Sequence, residues 1–179
     1  MKLKTLAAAV AALMIPCAPA HAEDSEVYAE VGGWTIFRGS DDCNLLTRYE
    51  GGASLYVAYT VGNNDAVVYV DDPAFKSIKD AEKYPLKVYF MKAKGLDDSW
   101  GEVTATGVAT DTLHAIRMKF VGTDFLADLA ASSTFARVRE EGKVVVESMT
   151  LKGSAAAVAK LEQCSREVHR KNPADPFAN

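Results

Sequence analysis

Ser154 lies in a strand-turn-helix context, Leu151-Lys152-Gly153-Ser154-Ala155-Ala156, where a serine hydroxyl can act as a nucleophile. An elbow of the G-x-S-x-G type needs glycine two residues before and two residues after the serine, and here those positions hold Lys152 and Ala156. The serine also needs a base. Beyond residue 22 the histidines are His114 and His169. His169 falls near the end of a helical pattern. His114 shares a strand face with Ile116, Met118 and Phe120, a setting typical of a hydrogen-bonded core histidine. Ser154 therefore reads as a helix N-cap, and no residue is assigned a catalytic role. The alternative is a hydrolase with a scattered site, in which His114 would act.

Three acidic doublets, Asp41-Asp42, Asp71-Asp72 and Asp97-Asp98, could bind calcium through carboxylate oxygens if they converged. None belongs to an EF-hand loop, and each falls beside a turn, where aspartate is locally favoured. The expectation is no metal and no cofactor. Aromatic residues carry the stronger signal for binding. Tyr56 and Tyr69 alternate out of phase with their apolar strand neighbours, which points them away from the core. With Trp100 they form the candidate binding surface, since tyrosine and tryptophan are favoured at interfaces. Arg137 and Arg139 alternate on one strand and add a small basic spot, expected on a solvated face.

The cysteines are Cys17, Cys43 and Cys164. The first lies in a leader: Lys2 and Lys4, an uncharged apolar run over residues 6–15, Pro16, and the small-x-small Ala20-His21-Ala22. That order predicts a signal peptide over 1–22. The run is too short for a bilayer span of about 20 residues, and Pro16 before Cys17 does not fit a lipobox. Cleavage after Ala22 leaves Cys43 and Cys164, an even pair in an exported chain, which predicts a disulfide. In the last helix, Ala157, Leu161, Cys164 and Val168 fall on one stripe, so Cys164 faces the sheet. Ala155, Ala156 and Ala159 are expected to allow close approach there. A loop of about 100 residues closed this way gains about 4.7 kcal/mol by chain entropy.

Removing Lys2 and Lys4 leaves 18 basic residues against 24 acidic ones, a formal charge of −6. Such a balance opposes nucleic-acid binding, which needs Lys and Arg to neutralise phosphates. No second long apolar stretch predicts a transmembrane segment. Residues 23–169 read as a single globular domain, with 23–32 an exposed lead-in and 170–179 a disordered tail. Strands are predicted at 33–38, 43–49, 54–61, 66–70, 86–91, 100–106, 113–121, 135–140 and 143–151. Short helices are predicted at 73–82, capped by Asp72 with Pro73 first, and from 123, capped by Thr123. A C-terminal helix runs from Ser154. Short turns between strands favour an antiparallel α+β domain, a sheet or sandwich fastened to its last helix.

The leader, the early Gly-Trp strand (GGWTIF), the cysteine soon after it, and the late FLADLAASSTFARV and VVVESMTLKGSAAAVAKL runs resemble small exported alphaproteobacterial proteins of the invasion-associated locus B type. The resemblance implies an exported β-rich domain without an established catalytic site, acting at the envelope or in host contact. With no catalytic constellation and a disulfide-fastened sheet rich in tyrosines, the chain reads as a periplasmic or secreted, non-enzymatic binding or interaction protein. Its partner would be a protein, a peptide or an envelope component, and an inhibitor of an exported enzyme is one concrete form.

Overall fold

The computed structural model describes residues 25–60, 64–92, 97–139 and 144–171; the predicted signal peptide (1–22) and residues 172–179 of the predicted tail lie outside them. The described chain is dominated by antiparallel sheet, with two helices. The strands are β1 (Glu26–Val31), β2 (Trp34–Arg38), β3 (Cys43–Arg48), β4 (Ser54–Thr60), β5 (Asp65–Asp71), β6 (Lys83–Met91), β7 (Asp97–Ala109), β8 (His114–Val121), β9 (Thr134–Arg139) and β10 (Val144–Thr150). The helices are α1 (Gly122–Ala131) and α2 (Ser154–Lys171). All ten strands form one sheet rather than two packed sheets, in the order β1-β2-β3-β4-β5-β8-β7-β6-β9-β10.

Alternation of apolar and polar residues decides which face is inside. Leu55, Val57 and Tyr59 of β4 point inward, as do Ala66, Val68 and Val70 of β5 and Ile116, Met118 and Phe120 of β8. α1 lies across the inner face on its way from β8 to β9 and buries Phe125, Leu126 and Leu129. α2 packs against the inner side of β2 and β3 and against α1. The sheet curls until its distant parts meet. The Trp34 indole donates to the Lys152 carbonyl at 3.0 Å, and the Tyr49 hydroxyl to the Thr150 carbonyl at 2.9 Å. Where the β1–β2 turn touches the β10–α2 turn, Gly32 and Gly153 both have positive φ, and a Cβ on Gly153 would stand 2.3 Å from the Gly32 carbonyl oxygen.

Cys43 and Cys164 are disulfide-bonded, with Cα atoms 6.2 Å apart, and both are fully buried. Ala157, Leu161, Cys164 and Val168 form the buried stripe of α2. Ala155, Ala156 and Ala159 are exposed, so the close approach comes from Ala157 instead. Beside the disulfide, the Tyr28 hydroxyl donates to Glu167 at 2.9 Å, and Arg38 pairs with both Glu26 and Glu167. This ties β1 and β2 to α2.

Several expectations change. Residues 26–31, expected as an exposed lead-in, pair with β2 and form an edge strand. Residues 73–82 are a strap of turns rather than a helix: Phe75 N–H donates to the Asp72 carbonyl and Ile78 N–H to that of Phe75, but no helical ladder follows. The strap carries the chain from β5 past β8 and β7 to β6, and at its end its backbone bonds Gly107 of β7 instead of closing further helical turns. Thr123 does not cap α1. Val121 holds the cap position without a side-chain bond, and Asn64 supplies the partners instead. The Gly153 carbonyl accepts from Ala157 N–H, which puts Gly153 at the α2 cap and Ser154 one residue inside. α2 continues to Lys171, two residues beyond the expected end of the domain.

Candidate functional site

The face of the sheet turned away from both helices carries a lateral row. Thr35 pairs with Leu46, Leu46 with Tyr56, Tyr56 with Tyr69, Tyr69 with Arg117, and Arg117 with Thr106. Register alone creates this row, because each of these residues alternates with an inward apolar neighbour. Leu46, Tyr56 and Tyr69 are half-buried, and Arg117 is exposed. The Tyr56 and Tyr69 rings meet edge to face with centroids 5.9 Å apart. Partial burial, the charge of Asp42 and the neighbouring Tyr69 push the Tyr56 phenol up to about 12. It stays neutral and can both donate and accept a hydrogen bond.

The adjacent row on the same face runs Phe37, Asn44, Ala58, Val67, Lys119. Asn44 is only 6% exposed. Its amide donates to Asp42 at 3.3 Å, while its carbonyl oxygen has no hydrogen-bond partner among the described residues. Lys119 is paired with Asp65 at 2.7 Å. Arg117 has no ion pair or side-chain hydrogen bond among the described residues. The strip thus offers an apolar end at Leu46, two tyrosines and an available cation.

Of the residues expected to bind, only Tyr56 and Tyr69 come together. Trp100 sits on the opposite face, in a cluster with Phe90, Phe120 and Phe125, and its indole donates to Asp128 at 2.7 Å. The cause is a bulge. Lys87 pairs with Glu102 and Tyr89 with Ser99, so Trp100 and Gly101 together oppose Val88, and Gly101 has φ +73°. The extra residue reverses the alternation and turns Trp100 inward. Arg137 is fully buried rather than solvated, because Phe135 on the same strand faces the core and sets the parity. Its guanidinium lies over the Phe135 ring at 5.1 Å. Arg139 is exposed near the end of the same inward row, opposite Leu86. Asn44, Leu46 and Arg117 escaped the sequence reading, although their parity with the tyrosines was the available signal.

The chemistry-bearing residues considered first do not assemble. His114 is half-buried at the start of β8, opposite Ala109, and no carboxylate or hydroxyl bonds its ring among the described residues. Ser154 is buried at the start of α2. A polar cleft of about 520 Å³ lies between the β3–β4 turn and β9–β10, lined in part by Tyr49, Asp72, Thr134 and Ser148, without a histidine. Asp41-Asp42 precedes β3 at the Tyr59 end of β4, whereas Asp71 pairs with Ser54 at the other end. Five strand steps, roughly 17 Å, separate those ends. The side chains of Asp97 and Asp98 lie outside the described ones. No cluster of three His, Cys, Asp or Glu residues suited to a metal occurs among the described residues. No helix among them is long and apolar enough to cross a membrane.

No protein-family model, no curated protein and no solved structure matches this chain.

Proposed function

We propose that this is an exported, non-enzymatic binding protein of the periplasm, and that its working surface is the Leu46–Tyr56–Tyr69–Arg117 strip. The observation that carries the reading is the paired tyrosines, side by side on the sheet face opposite both helices, with a neutral phenol at Tyr56. Two large rings with polar tips offer contact area at little entropic cost, and an unpaired arginine beside them is a common anchor at interfaces. The signal-peptide pattern and the buried disulfide are consistent with an oxidising compartment. The partner on this reading is a protein, a peptide or an envelope component, in line with the resemblance to the invasion-associated locus B type. Nucleic acid is disfavoured by the acidic balance.

The test is co-purification from periplasmic extract on immobilised protein, wild type against the Tyr56→Ala/Tyr69→Ala double variant. The expected outcome is one discrete partner retained by the wild type and reduced at least about tenfold by the double variant, as interface hot spots of ≥ 2 kcal/mol imply. Equal retention by a folded double variant rules this surface out.

A further inference from the structure

The strap at residues 72–82 roofs a cavity in the hollow of the sheet, on the face opposite the tyrosine strip. The cavity measures about 140 Å³ and lies between Phe75 and Ile78 of the strap, Tyr84 and Leu86 of β6, Ile116 of β8 and Arg139 of β9. Its burial is graded. Leu86 and Ile116 are 2% exposed and form the floor, Phe75, Ile78 and Tyr84 are half-buried walls, and Arg139 is exposed at the rim. Arg139 is the one charged residue in this lining.

The roof is built to stand off the floor. Ala81 N–H donates to the Gly107 carbonyl at 2.9 Å, and Gly107 N–H to the Glu82 carbonyl at 2.8 Å. A Cβ on Gly107 would lie 2.2 Å from the Lys79 carbonyl oxygen, so glycine is what lets the strap cross β7. The Tyr84 hydroxyl accepts from Lys79 N–H at 3.0 Å, which leaves its own proton free to donate. The strap is therefore anchored at its C-terminal half. Phe75 and Ile78 stand half-buried beside the cavity and pack against the core, and their N–H groups donate to the Asp72 and Phe75 carbonyls.

We propose that this cavity is a binding site for a short amphipathic monocarboxylate, its apolar chain against Leu86, Ile116, Phe75 and Ile78 and its carboxylate at Arg139. The apolar body follows from the lining, since an apolar cavity of about 150 Å³ takes up a molecule the size of benzene. The anionic head follows from charge complementarity at the mouth. Arg139 also has a contact of its own within the chain, and five N–H donors in a fixed fork leave room for a carboxylate beside it. This site is independent of the tyrosine strip.

The experiment titrates the isotope-labelled protein with hexanoate, hexanol and hexylamine, read by methyl and amide NMR shifts. Hexanoate is expected to bind saturably, with shifts at Ile78, Leu86 and Ile116, and hexylamine more weakly. Arg139→Gln is expected to lower the ratio of hexanoate to hexanol affinity about threefold or more, the range of a partly exposed ion pair. Ile78→Trp, which fills the cavity, is expected to abolish saturation by both probes, while the spectrum reports that the fold is kept. Absence of saturable shifts at millimolar hexanoate overturns the site. An unchanged hexanoate-to-hexanol ratio in Arg139→Gln overturns the carboxylate assignment.

Discussion

At the residue scale, Tyr56 holds its proton more tightly than a free tyrosine does. Desolvation, then Asp42, then Tyr69 raise its phenol from 10.0 to about 12. The folded state therefore holds this proton more tightly than the unfolded chain does. The associated stability is complete below pH 10 and is lost as pH rises toward about 12, because only the unfolded chain ionises in that window. Spectroscopic titration of phenolate absorbance is expected to show a late tyrosine that vanishes in Tyr56→Phe. The same variant is expected to flatten the fall in unfolding midpoint between pH 10 and 12. An unchanged late step contradicts the assignment. Tyr56 and Tyr69 were legible in the sequence because alternation in β4 and β5 is unbroken. Trp100 was not, because one inserted residue at Trp100-Gly101 reverses parity and leaves no apolar signature.

At the element scale, local patterns located the strands well and failed where partners are remote. The hairpins were visible as runs of β-branched residues between turn residues. The strap at 72–82 carries a good helix signal in Asp72-Pro73, yet its Ala81 and Glu82 backbone groups bond Gly107 of β7, a partner that the local pattern does not reveal. The start of α1 shows the same limit. Asn64, 59 residues upstream of Thr123, accepts from Thr123 N–H at 2.9 Å through its side chain and from Gly122 N–H at 2.7 Å through its carbonyl. Asn64 also has φ +51°, which asparagine tolerates better than alanine. Asn64→Gly should cost about 1 kcal/mol through the lost cap, and Asn64→Ala about 1 kcal/mol more through backbone strain. Urea unfolding midpoints decide it. An alanine variant at least as stable as the glycine variant contradicts the account.

At the scale of the whole molecule, the curled sheet has two differently furnished faces. The inner one holds the aromatic cluster, both helices and the disulfide, which joins β3 to α2 across 121 positions. Such a crosslink acts on the unfolded chain more than on the fold, by about 4 to 5 kcal/mol in the entropic account. The pairing was legible because the predicted leader leaves only two cysteines. The closure of the sheet at Gly32 and Gly153 was not, because glycines in turns look alike whether or not they touch. The outer face carries the strip proposed to meet a partner, and that proposal is tested most directly by photo-crosslinking in living cells. A photoreactive residue replaces Thr35, at the end of the same outer row, in one strain and Glu162, exposed on α2, in another. The account predicts a discrete adduct from position 35, absent from position 162 and lost when Tyr56 and Tyr69 are both alanine. Adducts of equal yield from both positions, or none from 35, would contradict it.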